Sequence, residues 1–193
     1  MNWSIAEAQS DMRRGYYSGA AGIITSALVW SVAAGVALAG SATTAVWALL
    51  LGGMLIHPVA VLICKALGSR GSHTTGNPLG SLAGASTFWL IFCLPLAYGL
   101  SLQHPRWFFA AMLAVIGGRY LVFATVYGMR LYWGVGFVLV LTAGVLVYVS
   151  AAVPIAAGAG AAIETVFAII GFVQHRQWVR PALSTPPSRR GAA

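Results

Sequence analysis

Along the chain, long apolar stretches alternate with short polar breaks. No Lys, Arg, Asp or Glu occurs from Tyr16 to Cys64, from Gly71 to Pro105, or from Leu131 to Ile163. Each stretch exceeds the roughly 18–20 apolar residues that cross a bilayer core, and the first and third are long enough for about two crossings. The alternating segments of roughly ten residues that a transmembrane barrel would need are not seen. The pattern therefore predicts an all-α, polytopic membrane bundle with six spans, at about 17–39, 43–66, 79–102, 107–128, 131–151 and 155–174. The breaks are chemical: Gly40-Ser41, the stretch Gly68 to Pro78, His104-Pro105, Gly128-Met129-Arg130, and Ser150 to Pro154. The last hairpin is cut at Pro154, where the proline ring clashes with the preceding turn and offers no N–H. Ala37-Leu38-Ala39 has the look of a signal-peptide cleavage site, but the run before it is long for one and reads as an uncleaved first span.

The polar ends complete three regions. Residues 1–15 are expected to form an interfacial helix, opened by a capping box from Ser4 to Glu7. Residues 16–174 form the membrane domain. Residues 175–193 make a basic tail, expected to be disordered from Gln174 onward and able to touch anionic lipid.

Charge changes the picture in one respect, orientation. The net charge is +8, from eleven Lys plus Arg against three acids. In a soluble chain this would suggest nucleic acid; here the cations flank apolar runs, and topology explains them better. With the N-terminus inside, one side holds Arg13, Arg14, Lys65, Arg70, Arg130, Arg176, Arg180, Arg189 and Arg190, and the other holds Arg106 alone. That bias predicts both termini in the cytoplasm. Trp47 and Trp107 then fall at the outer interface, and Trp3, Trp133 and Trp178 at the inner one. Cys64 and Cys93 sit at different depths and are not expected to form a disulfide.

Three ionisable residues lie within spans: His57, Arg119 and Glu164. Counted from the outer ends of their helices, they fall within roughly 8 Å of a common depth. A lone charge at mid-membrane costs about 2.5–3.5 kcal/mol on insertion scales, so such residues usually face the bundle interior and pair. Glu164 is the one acid beyond the N-terminal segment and Arg119 the one cation inside a span, which makes each the other's expected partner, with His57 as a third member. On the sixth span Ala157, Gly160, Ala161, Glu164, Ala168 and Gly171 share one face, and small residues there let a neighbouring helix approach. On the second span Gly52-Gly53 precede His57-Pro58, and Pro58 leaves the Met54 carbonyl without its helical donor. Pro95 does the same to Ile91, so both helices are expected to break beside a cavity, as transporter helices do.

Other candidates weigh less. Gly68-Ser69-Arg70-Gly71-Ser72-His73 lacks the phosphate-loop pattern, and Ser86 has no nucleophile motif around it. Arg13-Arg14 resembles a twin-arginine signal only superficially. Three acids cannot build a carboxylate-rich magnesium site, and the four histidines lie at different depths, so neither a metal nor another cofactor is expected. An enzyme acting on lipid stays open without a motif to support it.

The pieces Asp11-Met12-Arg13-Arg14, Gly52-Gly53-Met54-Leu55-Ile56-His57-Pro58 and Gly76-Asn77-Pro78-Leu79-Gly80 resemble a family of small, uncharacterised bacterial six-span membrane proteins. The resemblance implies a bacterial inner-membrane location and no activity. In size and layout the chain also resembles the substrate-binding membrane subunits of energy-coupling-factor vitamin transporters. Those recruit an ATPase module through small residues on the first span, which Gly15, Gly19 and Gly22 could imitate. Three function classes follow. One is a transporter, or a transporter subunit, binding a small polar or anionic ligand through Met54, His57, Arg119 and Glu164. The second is a structural or assembly protein with an Arg119–Glu164 helix lock. The third is a lipid-modifying enzyme. The expected partners are the bilayer, a small ligand, and a partner subunit or second copy.

Overall fold

The computed structural model describes residues 3–184 and is all-α. Its helices are α1 (Ile5–Gly15), α2 (Ala20–Ala39), α3 (Ala42–Ala66), α4 (Pro78–Gln103), α5 (Pro105–Tyr127), α6 (Leu131–Tyr148) and α7 (Val153–Ser184). A 3₁₀ turn, Tyr17–Gly19, joins α1 to α2. Six of the helices, α2 to α7, are long and apolar enough to cross a membrane. The ends have local causes. Ser41 caps α3 by accepting from the Thr44 N–H, Asn77 caps α4 by accepting from the Leu79 N–H, and Pro78 and Pro105 occupy first turns where their missing N–H costs nothing.

The expected spans hold closely, with two corrections at the C-terminal end. The last hairpin breaks at Val149–Ala152, and Pro154 sits inside the first turn of α7, where proline is tolerated. The tail expected to begin at Gln174 is helical as far as Ser184. Its anchor is His175, buried on the same face as Glu164 within a stretch of Gln, His, Arg and Trp whose composition is that of a solvated tail. The expectations for Arg189 and Arg190 lie outside the described residues.

A third correction concerns the prolines. α3 and α4 run as continuous α-helix through Pro58 and Pro95, and both prolines face outward from the bundle. A missing N–H weakens a helix at that point but breaks it only where the freed backbone has somewhere better to go.

α5 occupies the centre, touching α3, α4, α6, α7 and α1, while the most extensive packing is between α2 and α7 and between α5 and α6. Small residues explain both seams. A Cβ on Gly117 would fall 2.8 Å from the Gly136 carbonyl oxygen, and one on Gly160 would fall 2.7 Å from the Trp30 ring. In lipid such close van der Waals contact is what holds helices together. Phe108, Phe109 and Leu113 of α5 fill the core with Trp30, Tyr132, Val135 and Leu139. α3 and α4 form the flank.

α1 packs against one end of this bundle and bears on α5 and α4. Ala8 and Met12 are buried beneath it. Gln9 donates to the Thr125 carbonyl, and Arg13 donates to the carbonyls of Tyr127 and Gly128 while its guanidinium lies over the Trp178 ring. Asp11 accepts from Arg70, the Thr74 N–H and hydroxyl, and the Asn77 amide. Burial pushes the Asp11 carboxyl up, but the hydrogen bonds from Asn77, Thr74 and Arg70 outweigh it and hold the group well below the usual carboxylate range.

Candidate functional site

Glu164 is fully buried on the α7 face that meets α2. Tyr120 of α5, also buried, donates its hydroxyl to Glu164 Oε1 at 2.9 Å. Ser26 of α2, buried as well, lies beside the carboxyl group, and Oε2 has no hydrogen-bond partner among the described residues. The small residues on either side, Ala157, Gly160 and Ala161 toward one end and Ala168 and Gly171 toward the other, allow α2 to come close enough to seal it in.

Arg119 does not meet it. Consecutive helical residues diverge by about 100°, so Tyr120 takes the side of α5 toward α7 and Arg119 is turned toward α4. There its guanidinium donates to the Thr87 hydroxyl at 2.9 Å and lies 5.0 Å from the Phe123 ring centroid. Its Nε is buried without a partner among the described residues. A ring face and one hydroxyl are modest compensation, together about 1–3 kcal/mol. The one ion pair among the described residues is Arg70 with Asp11, outside the membrane core.

His57 and Met54 are exposed on α3, with Met54 at 75%. Gly52 faces α2, where a Cβ would fall 2.7 Å from Val29, whereas Gly53 faces open space. Shared depth therefore does not become a shared site: of the expected trio, the structure leaves each residue with separate neighbours. Cys64 and Cys93 are buried free thiols.

Sequence reasoning missed the residues that do contact the ionisable groups. Tyr120 and Thr87 supply hydroxyls, and no charge marks them. Tyr132, Ser18 and His175 were missed too. Tyr132 donates to the Ser18 carbonyl at 2.7 Å, and the Ser18 hydroxyl lies 2.8 Å from His175 Nδ1. Tyr17, Ser18 and Gly19 are all left-handed, with φ of 52°, 54° and 79°. Two non-glycine residues in that region cost roughly 1–2 kcal/mol each, and the bonds to Tyr132 and His175 hold them there. A Cβ on Gly19 would run into the Tyr132 hydroxyl.

Asp11, Arg13 and Asn77 are the groups that fasten α1 to the bundle end. Residues 5–174 match the family described as "Family of unknown function (DUF7010)". The chain belongs to this family. As a DUF7010 member with six apolar helices it is a multi-pass membrane protein in contact with lipid. No curated protein and no solved structure matches it.

Proposed function

We propose that this DUF7010 protein is a transporter, or the membrane subunit of one, for a small polar or anionic solute, and that Glu164 is its proton-exchanging group. The observation that carries the reading is a fully buried carboxyl bonded to the Tyr120 hydroxyl with the Ser26 hydroxyl beside it, one oxygen without a partner and no cation paired to it among the described residues. An ionised carboxylate in such a place costs several kcal/mol, so a neutral acid is favoured, and one that can release its proton when its surroundings open is what proton-coupled carriers use. Arg119, with a spare donor in the α4–α5 layer, supplies recognition of an anionic group. The alternative of a structural Arg119–Glu164 lock is disfavoured, because the two side chains have different partners.

The end carrying α1 holds Arg13, Arg14, Lys65, Arg70, Arg130, Arg176 and Arg180, against Arg106 at the other. This supports a cytoplasmic α1 end; the membrane we propose is a bacterial inner membrane. Reporter fusions after Arg14 and Arg180 are expected to read cytoplasm at both places.

The test of transport uses proteoliposomes with a trapped pH-sensitive dye and a pooled set of small carboxylates, phosphates and amino acids. A member of the pool is expected to move protons with the wild type and not with Glu164→Gln. Equal dye response in the two proteins for every member would count against the reading.

A further inference from the structure

Glu164 and His175 are eleven residues apart, three helical turns, on the one α7 face that packs against α2. Between them Ala168 and Gly171 offer no polar group, but the facing helices do. Tyr120 touches Glu164; its ring centroid is 6.0 Å from that of Tyr132; Tyr132 donates to the Ser18 backbone carbonyl; and the Ser18 hydroxyl touches His175. All five side chains are buried, in a core that is otherwise mostly apolar. His175 stands at the end of the bundle that carries α1, its ring 3.9 Å from Tyr17 and 5.9 Å from Trp178. The titratable or charged groups packed around it are Tyr17, Cys64 of α3 in the same cluster, and Arg13 of α1 across the Trp178 ring. Around Glu164 they are Tyr120 and, one ring further, Tyr132.

From this arrangement we infer that Glu164 exchanges its proton with the α1 side through Tyr120, Tyr132 and Ser18, with His175 as the terminal exchange site. The inference rests on the reading of Glu164 as a proton-exchanging group and names the route that serves it. Inward to Glu164, a proton taken up by His175 leaves from Nδ1 to Ser18 Oγ, and that hydroxyl gives its own proton to Tyr132 once the Tyr132 hydroxyl swings from the Ser18 carbonyl to Oγ. Tyr132 passes one to Tyr120, and Tyr120 passes one to the Glu164 carboxylate. Each hydroxyl gains a proton as it loses one, so only His175 and Glu164 change charge. Two steps have no direct hydrogen bond in the resting structure: from Ser18 Oγ to Tyr132, whose hydroxyl donates to the Ser18 carbonyl instead, and from Tyr132 to Tyr120. These are the gated ones, closed by a turn of the hydroxyl or phenol or by a transient water. The left-handed Tyr17–Ser18–Gly19 turn has a role in this account. It aims both the hydroxyl and the carbonyl of Ser18 into the core, at His175 and Tyr132.

The experiment follows hydrogen–deuterium exchange of the Glu164 carboxyl by infrared spectroscopy, in full-length protein in lipid nanodiscs transferred to heavy water. Glu164→Gln identifies the band. His175→Gln, which keeps a partner for Ser18, and Tyr132→Phe are each expected to slow exchange about a hundredfold, with the band itself in place. Tyr98→Phe, outside the route, is expected to leave the rate alone, and helix content by circular dichroism checks that each variant is folded. If Tyr132→Phe fails to fold, His175→Gln alone decides. Unchanged exchange in folded His175→Gln overturns the route while leaving the proton-exchanging role of Glu164 intact. A Glu164 band that reads as ionised carboxylate throughout overturns both.

Discussion

The α2–α7 seam and the α3–α4 flank cross the same membrane and carry comparable chemistry, yet they use it in opposite ways. In the most apolar stretches of α3 and α4 only 11% of residues are buried inside the protein, against 39% in α2 and 33% in α7. On the flank, Gly53 meets nothing and His57 points outward. In the seam, Gly160 lies against Trp30 and Glu164 is sealed from every side. A glycine or an ionisable residue at mid-membrane thus has no fixed meaning. The neighbour that its helix face meets decides between close packing and open surface, and between a buried acid and a lipid-facing imidazole.

The glycines give the largest contrast. Gly160→Leu must push into Trp30 and is expected to lose about 1–3 kcal/mol or more, read as thermal stability in detergent. Gly53→Leu has room, and replacing glycine in a helix is worth up to about 1 kcal/mol in its favour. Equal losses at the two positions would break the distinction between seam and flank.

The next effect concerns partners. Tyr120→Phe leaves Glu164 without its hydroxyl and is expected to cost about 1–3 kcal/mol. Its combination with Glu164→Gln is expected to be non-additive. Arg119→Met and Glu164→Gln, by contrast, share no partner, and their effects are expected to add within about 0.5 kcal/mol. Strong coupling between Arg119 and Glu164 would restore the helix lock. His57→Ala completes the set with an expected change within about 0.5 kcal/mol.

Much of the fold was legible because apolar length is a property of sequence alone. Gly40-Ser41, Asn77-Pro78 and His104-Pro105 mark helix ends with local chemistry that needs no tertiary context. The Glu164 face was legible too, since Gly160, Ala161, Ala168 and Gly171 follow helical spacing. Its partner was not. Depth along an axis can be counted from sequence, but the angle around it depends on which helices become neighbours, and that turned Arg119 toward Thr87 and left Glu164 with Tyr120. The prolines misled for a related reason: Pro58 and Pro95 are compatible with a helix whose outer side meets no packed neighbour. His175 was hidden by its polar surroundings, because nothing in Gln174-His175-Arg176 distinguishes a buried histidine from a solvated one.

The smallest expected effect lies at the bundle end. Because the folded Asp11 carboxyl is held below its ordinary pKa, its contribution to docking α1 is present above about pH 4 and is lost as pH falls through the folded value. Asp11→Asn is expected to mimic that loss at neutral pH. A cysteine-labelling reagent directed at Met12→Cys, with Cys64 and Cys93 replaced, is expected at neutral pH to react faster beside Asp11→Asn than beside Asp11. No acceleration would mean that the Arg13 contacts alone hold the helix.

On the proposed reading, the acid sealed in the α2–α7 seam is held neutral by burial and exchanges its proton. Infrared difference spectra of wild type against Glu164→Gln in lipid nanodiscs, taken from acid to alkaline pH, test it most directly. A protonated carboxyl band is expected near neutral pH that disappears with Glu164→Gln and persists with Arg119→Met. A Glu164 that is carboxylate at neutral pH in the wild type and becomes protonated only with Arg119→Met would contradict it, since that is the signature of an ion pair.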